Sequence, residues 1–190
     1  MHYLTGSGHE KRAVIDGGII QAPVSDRESM TLLIPPEVLS ETCRVAKAMV
    51  DSGDGEEILS TKVRNGFLAP TPVSARRWLS LTSPDHDGED DYFSSDLNDD
   101  QLQRSFGALP PRSPLCMLFS GSDEFVPKTI DQKASLKKWT DIIQKGKGKV
   151  DEEHSGVIDG ATHDLGNNPE NVINELVKRV LGFLDSLPTI

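Results

Sequence analysis

The feature that most constrains the fold is the regular alternation of apolar strands and amphipathic helices in the C-terminal half of the 190-residue chain. The pattern predicts a strand at Leu115–Ser120, a turn, and a helix at Pro127–Lys145, followed by a second strand, a turn and a final helix after Pro169. Strands that alternate with such helices form right-handed crossovers onto a parallel sheet. The sequence therefore predicts an α/β protein.

The N-terminal third of the chain adds one more strand and one more helix to this pattern. Arg12–Pro23 is short, rich in β-branched residues and ends at a proline, which is typical of a strand buried on both faces of a parallel sheet. Pro35–Val50 has a proline in its first turn and apolar residues at three- and four-residue spacing, which predicts a helix. We therefore expect a sheet of three parallel strands with flanking helices.

The region Gly53–Pro111 has a different character, because prolines and glycines interrupt it and it lacks long periodic segments. Two short helices are predicted inside it. One begins near Ser74, and the other begins at Asn98, where Gln101 completes a capping-box spacing. We interpret residues 53–111 as a lid-like acidic insertion within a single partial domain of residues 1–190.

The net charge of −10 is concentrated in one stretch, because Thr82–Asp100 holds eight acidic residues and no Lys or Arg, leaving the rest near −2. This distribution argues against nucleic acid or an anionic membrane as a partner, since both require clustered cations. The segment Ser83–Asp91 does not follow the ligand order of a calcium loop, so we predict a solvated loop and no metal site.

Targeting signals and cysteine usage indicate the compartment. No apolar run approaches the ~20 residues of a membrane span, and Met1–Glu10 does not resemble a secretion signal. Cys43 and Cys116 are far apart in apolar contexts, which is typical of reduced, buried thiols. These features predict a soluble cytoplasmic protein. Because Cys116 lies within a predicted strand, they also argue against a thiol enzyme.

Two polar turns carry the candidate chemistry. Asp123 follows the strand at Leu115–Ser120 by three residues, and His163 lies in the turn after the next strand. Because the carboxyl ends of neighbouring parallel strands share one edge, we expect these side chains to meet there. In a serine hydrolase triad, a histidine takes the proton of the attacking hydroxyl and a carboxylate holds its other ring nitrogen. We predict these roles for His163 and Asp123; Glu124 and Asp164 are alternative acids, but the distance to the next helix favours Asp123.

The third member of such a triad has no candidate in the chain. No G-x-S-x-G nucleophile elbow occurs. Ser7, Ser120 and Ser122 lack the strand-to-helix turn that exposes a hydroxyl and provides an oxyanion donor. The remaining histidines have no comparable context and are predicted to be surface residues: His2, His9, His86 and His154.

Several motifs together resemble a known family. They are DGGIIQAPVSDRE at Asp16–Glu28, ARRWLSL at Ala75–Leu81, DYFSSDL at Asp91–Leu97, and the two turns GSDEFVP and GATHDL. The chain is similar, over essentially its whole length, to a fungal family of α/β-hydrolase-like proteins of formerly unknown function (DUF1749). Some members of that family are siderophore esterases that open fusarinine-type ester bonds.

The resemblance implies a fold, an activity and an incomplete site. It implies that this chain is the C-terminal portion of an α/β-hydrolase fold, with the N-terminal strands and the nucleophile elbow missing upstream of Met1. The implied function is serine-type carboxylic ester hydrolysis of a small-molecule substrate without a cofactor, and the chain alone is expected to be inactive. The insertion would shape substrate choice, and Arg64, Arg76, Arg77, Trp78 and Tyr92 could line the site, although structural roles are the stronger expectation.

One further expectation follows from the missing strands. Ile15, Ile19 and Ile20 would face an open sheet edge, so the isolated chain is expected to be marginally stable or prone to aggregation. The alternative function is a non-catalytic hydrolase-like protein that keeps the scaffold as a binding or interaction module.

Overall fold

A computed structural model describes the chain except for residues 65, 67, 69, 189 and 190. The first three fall in the predicted insertion and the last two at the end of the predicted domain, so those parts of the predictions lie outside the described residues. The structure divides into two compact units. The sheet unit comprises Met1–Pro23 and Ser95–Ile190, and the helical unit comprises Val24–Ser94.

The regular elements occur in the order expected for an α/β chain. The strands are β1 Gly18–Gln21, β2 Leu115–Ser120 and β3 Gly156–Ile158. The α-helices are α1 His2–Thr5, α2 Asp26–Leu33, α3 Pro36–Asp51, α4 Ala75–Thr82, α5 Asp99–Ser105, α6 Gln132–Lys145 and α7 Glu170–Ser186, and short 3-10 turns occur at His9–Lys11 and Phe106–Ala108. None of the helices among the described residues is both long and apolar enough to cross a bilayer.

The described strands form one parallel sheet with β2 in the centre, which confirms the predicted fold class. Ile19 of β1 is in register with Cys116 of β2, and Leu118 is in register with Gly156 of β3. The strand predicted at Arg12–Pro23 is shorter than expected. Before β1, the carbonyl of Ile15 accepts a hydrogen bond from the Ser113 hydroxyl, and after β1 the extended backbone ends at Ala22, whose φ is +46°.

The two faces of β2 are covered by different helices, and all six of its residues are buried. Cys116 and Leu118 belong to a core cluster with Val172 and Phe183, on the face that packs against α7. Successive side chains of a strand point to opposite faces. Phe119 accordingly lies on the other face and contacts Trp139 of α6, with ring centroids 5.3 Å apart; Trp139 also stacks on Phe106 at 4.8 Å.

The helical unit has its own core around Trp78 of α4, which is fully buried. Residues of α2, α3, α4 and the segments between them pack into this core: Met30, Ile34, Cys43, Ala46, Leu59, Val73 and Ala75. The Arg64 side chain is also buried and donates to the carbonyls of Leu59 and Thr71 at 3.3 and 3.2 Å. Arg64 and Trp78 therefore have structural roles in this unit, which was the favoured of the two expectations for them.

The acidic stretch is less solvated than predicted. The Asp91 carboxylate is only 6% exposed and lies 3.0 Å from Nε of Arg27. Asp90 pairs with Arg77, and Asp87 accepts a hydrogen bond from Ser83 at 2.5 Å. Because arginines of the helical unit neutralise Asp90 and Asp91, part of the loop folds back onto the unit rather than extending into water.

Side-chain caps mark the starts of α2, α5 and α6. The capping box of Asn98 and Gln101 is present at the start of α5, as predicted. α6 begins at Gln132 and not at Pro127, because the Asp131 side chain accepts hydrogen bonds from the amides of Lys133 and Ala134. α2 was not predicted, although Ser25 caps it by accepting from the amide of Glu28.

Candidate functional site

Hydrogen bonds between the two polar turns bring them to the same edge of the sheet. The turn after β2 donates through two amides to the last residue of β3 and to the segment after it. Gly121 donates to the carbonyl of Ile158 at 2.9 Å, and Ser122 donates to that of Ala161 at 2.8 Å. The carboxyl ends of the two neighbouring strands therefore lie together, and the turns that leave them are held in contact.

The turn that carries His163 is shaped by a glycine and an asparagine. Gly160 has a φ of +77°, a conformation that residues with a side chain rarely adopt. The Asn168 side chain accepts hydrogen bonds from the amide and hydroxyl of Thr162 at 2.9 and 3.0 Å, and donates to the carbonyl of Gly160 at 3.1 Å. This clamp fixes the backbone immediately before His163.

His163 and Asp123 are brought together, as expected from their positions after neighbouring strands. Nδ1 of His163 lies 2.9 Å from Oδ2 of Asp123, and the other carboxylate oxygen accepts from the Phe125 amide at 2.9 Å. The Asp123 side chain is 1% exposed and that of His163 is 34% exposed. A carboxylate beside Nδ1 favours the tautomer with the proton there, leaving the Nε2 lone pair able to accept a proton.

Both backbone groups of His163 are also held by side chains. Its amide donates to Oε2 of Glu124 at 3.1 Å, and its carbonyl accepts from Nε2 of Gln21 at 3.0 Å. The Phe125 ring meets the imidazole edge-on, with centroids 5.1 Å apart. The position of the imidazole is thus set from both turns and from the end of β1.

The two alternative acids have other roles in the structure. Glu124 holds the backbone of His163, and hydrogen bonds from its own amide and then from that of His163 lower the pKa of its carboxyl. Asp164 accepts from the amide of Gly166 at 2.9 Å. Sequence reasoning missed the contribution of Gln21, because nothing in the sequence links two residues 142 positions apart.

The serines considered at the sequence level do not complete the pair. Ser120 is buried within β2, and Ser122 is exposed in the turn before Asp123. Ser7 lies before Arg12, whose guanidinium donates to the Ser7 carbonyl at 2.9 Å. In the part of the chain that the structure describes, Nε2 of His163 has no hydrogen bond to a hydroxyl or thiol.

A second imidazole–carboxylate pair lies at the opposite end of the sheet. His154 is 2.8 Å from Asp151, and the His154 side chain is 19% exposed, so it is only partly exposed where a surface residue was predicted. Burial raises the pKa of Asp151, but hydrogen bonds from the ring and amide of His154 outweigh it and lower the pKa overall. The Asp151 amide donates to the carbonyl of Leu115, the first residue of β2. Arg179 of α7 donates to the His154 carbonyl. This pair therefore anchors α7 at the amino ends of the strands.

The Cys116 thiol is expected to be unreactive in the folded chain. Cys116 is fully buried in β2, and burial raises its pKa to about 11, so the thiolate fraction at pH 7 is on the order of 10⁻⁴. We expect iodoacetamide to label Cys116 at pH 7.5 only after unfolding in urea, as measured by peptide mass mapping. Rapid labelling of Cys116 in the native chain would contradict this and would reopen the possibility of a thiol enzyme.

The fold and the site together define a class: an α/β protein with a parallel sheet and an imidazole–carboxylate pair at its carboxyl edge. The family model described as "Protein of unknown function (DUF1749)" matches residues 1–185. The chain therefore belongs to this family.

Two named relatives and one solved structure are similar to this chain. "Fusarinine C esterase sidJ" of Aspergillus fumigatus is 37% identical over an alignment of 202 residues that includes 94% of this chain. "Esterase AN6793" of Emericella nidulans is 37% identical over an alignment of 213 residues, which also includes 94% of this chain. The solved structure titled "Siderophore hydrolase EstB from Aspergillus fumigatus" is 36% identical and matches 98% of this chain with a TM-score of 0.78.

The relatives are longer than the matched region. This chain spans 57% of the length of the fusarinine C esterase and 56% of that of the second esterase. It spans 62% of the solved siderophore hydrolase. The shared region thus makes up about three-fifths of each of these proteins.

Proposed function

We propose that this chain supplies the general base and its orienting carboxylate to a serine-type carboxylic ester hydrolase. The observation that carries the proposal is the His163–Asp123 pair, in which a buried carboxylate lies 2.9 Å from Nδ1 of a partly exposed imidazole at the carboxyl ends of β2 and β3. The names of the relatives support a fusarinine-type siderophore ester as the substrate. No cofactor is needed for this chemistry.

The roles of the two side chains follow from ordinary acyl-transfer chemistry. A serine hydroxyl attacks the ester carbonyl carbon, and its proton passes to Nε2 of His163. Asp123 stabilises the imidazolium through the Nδ1 hydrogen bond. As the ester C–O bond breaks, the same proton moves to the leaving alcohol. Water then attacks the acyl-enzyme and gives a proton to Nε2. His163 passes this proton to the serine oxygen as the acyl–oxygen bond breaks, which releases the carboxylic acid and restores the serine hydroxyl.

The nucleophilic serine and the oxyanion donors would lie in polypeptide outside these 190 residues. Two findings support this part of the proposal: the chain has no nucleophile elbow, and it spans only about three-fifths of its esterase relatives. In this interpretation the 190-residue chain is a C-terminal portion of an α/β-hydrolase and is inactive by itself. The genomic sequence upstream of Met1 tests this directly, because an open reading frame with a G-x-S-x-G motif is expected there.

The activity is tested by comparing the 190-residue chain with a fusion in which the unmatched part of EstB precedes it. We expect the fusion to hydrolyse fusarinine C and to react with a fluorophosphonate probe, whereas the chain alone should do neither. A folded fusion without activity or labelling would contradict the proposed hydrolase. The scaffold would then be better explained as a binding or interaction module.

A further inference from the structure

A cleft in the helical unit, which we call the α3–α4 cleft, is separate from the residues of the candidate site. Its volume is about 580 Å³, which lies within the range of pockets that bind small molecules. Its described lining residues all lie between residues 27 and 89, on α2, α3, α4 and the segment after α4. The described lining therefore belongs to the helical unit alone and includes neither Asp123 nor His163.

Part of the lining is apolar and comes from both α3 and α4. Leu39, Val50 and Leu79 line the cleft and are partly buried against the core around Trp78. Cys43 lies beside them and is 7% exposed. Side chains of this kind bind the hydrocarbon part of a ligand, because the contact removes apolar surface from water.

The basic residues of the lining differ in whether their charge is compensated. Three arginines are each paired with a carboxylate that does not itself line the cleft, in the pairs Arg27–Asp91, Arg44–Glu41 and Arg76–Glu56. Lys47 of α3 also lines the cleft and is exposed. Its ammonium group has no ion pair or hydrogen bond with any residue that the structure describes. Lys47 is therefore the cation with which an anionic group of a ligand can pair.

The acidic residues of the lining all lie on the segment after α4 and are Asp85, Asp87 and Glu89. Asp87 accepts a hydrogen bond from the Ser83 hydroxyl at 2.5 Å. The carboxylates of Asp85 and Glu89 are exposed and have no partner within the described part of the chain. The uncompensated charges of the cleft are thus a cation on α3 and two anions on the segment after α4.

The acidic segment is held against α4 by its own contacts. The Ser83 hydroxyl, which donates to Asp87, also accepts from the amide of Asp85 at 3.3 Å. Gly88 lies directly on α4, because a Cβ atom there would be only 2.5 Å from the carbonyl oxygen of Ser80. A binding group that is already positioned loses less conformational entropy when a ligand binds.

We propose that the α3–α4 cleft binds a small zwitterion whose carboxylate and ammonium group are separated by a hydrocarbon chain. The carboxylate pairs with Lys47, the ammonium group pairs with Asp85 and Glu89, and the chain covers the apolar lining. An α-amino acid fits less well, because its two charged groups share one carbon atom while the opposite charges of the cleft lie on different elements. The inference goes beyond the proposed hydrolase and does not depend on it.

The test uses 8-aminooctanoate as the probe and follows backbone amide shifts by NMR. It is titrated in parallel into the 190-residue chain and the EstB fusion. We expect a Kd of about 1 mM or lower at low salt in both, since both contain the helical unit. The largest shifts should occur in α3, α4 and residues 83–89. Octanoate and octylamine each lack one charge and should bind at least about tenfold more weakly.

A lysine variant and its matched control assign the carboxylate end. Lys47→Met keeps the length of the side chain and removes its charge, so 8-aminooctanoate should bind at least about tenfold more weakly. Octylamine, which has no carboxylate, should bind this variant within about twofold of the parent. Lys62→Met removes an exposed lysine of the same unit that does not line the cleft, and it should leave both affinities unchanged.

A pair of double variants assigns the ammonium end in the same way. Asp85→Asn with Glu89→Gln should weaken the binding of 8-aminooctanoate at least about tenfold, whereas octanoate should bind no more weakly than to the parent. Asp54→Asn with Glu57→Gln removes two exposed carboxylates of the same unit outside the cleft, and it should have no such effect. All of the substituted side chains are exposed, so each variant is expected to keep the amide spectrum of the folded parent.

Several results would overturn the inference. One is the failure of 8-aminooctanoate to bind either protein with a Kd below about 10 mM. Others are equal affinity for octanoate or octylamine, equal behaviour of the variants and their controls, and shifts confined to the sheet unit. Because no measurement here uses esterase activity, an inactive fusion would contradict only the hydrolase, and the absence of binding would contradict only this site.

Discussion

Replacing Asp123 with Asn in the EstB fusion is expected to lower kcat for ester hydrolysis by about 10⁴-fold. The reason is the tautomer of His163. The Phe125 amide donates a hydrogen bond to the Asp123 carboxylate at 2.9 Å. The oxygen of the Asn side chain can accept the same hydrogen bond, so the turn keeps its shape. The new NH₂ group then faces Nδ1 as a donor, which forces the ring proton onto Nε2. The imidazole can no longer accept the proton of the serine hydroxyl.

A nearby carboxylate provides the matched control for this prediction. Asp164 is exposed, follows His163 directly and accepts only from the Gly166 amide among its described contacts, so Asp164→Asn should reduce kcat less than threefold. Both variants should unfold at nearly the same urea concentration as the parent fusion. If Asp123→Asn kept a tenth or more of the parent kcat, or if Asp164→Asn were equally damaging, the assignment of Asp123 would be wrong.

The main features of the sheet unit could be predicted because they depend on local patterns. Apolar runs followed by amphipathic helices indicated parallel strands, and chain order alone then placed Asp123 and His163 after neighbouring strands. The capping box at Asn98 could also be predicted from the sequence, because its two hydrogen bonds join residues only three positions apart. Such features are set by short-range stereochemistry and by the side-chain periods of strands and helices.

The features that sequence reasoning missed depend on contacts between distant residues. Arg27 and Asp91 form a partly buried hydrogen bond between positions 64 residues apart. This contact holds part of the acidic loop that was predicted to be solvated. Gln21 holds the carbonyl of His163 across 142 residues. The pairing of His154 with Asp151 is local, but its burial depends on packing against α7, where a Cβ atom at Gly182 would collide with the imidazole. Burial of this kind is a property of the assembled fold.

Replacing Phe183 with Ala should lower the free energy of unfolding of the 190-residue chain by about 3–5 kcal/mol. Phe183 is 1% exposed, belongs to the core cluster between α7 and the sheet, and packs on Gly17 before β1. Its removal leaves a cavity where the last helix meets the first strand. Urea titration followed by circular dichroism and by tryptophan fluorescence, to which Trp139 in the same unit contributes, measures the loss.

The adjacent residue, Leu184, provides a matched control for this prediction. Leu184 is 49% exposed, so Leu184→Ala should cost less than about 1 kcal/mol in the same chain, although it too removes a large apolar side chain from α7. Phe183→Leu keeps part of the volume and should give an intermediate loss even if Phe183→Ala fails to fold. Equal costs for Phe183→Ala and Leu184→Ala would mean that α7 does not pack on the sheet through Phe183. The turn carrying His163, which leads into α7, would then lack the support that holds it beside Asp123.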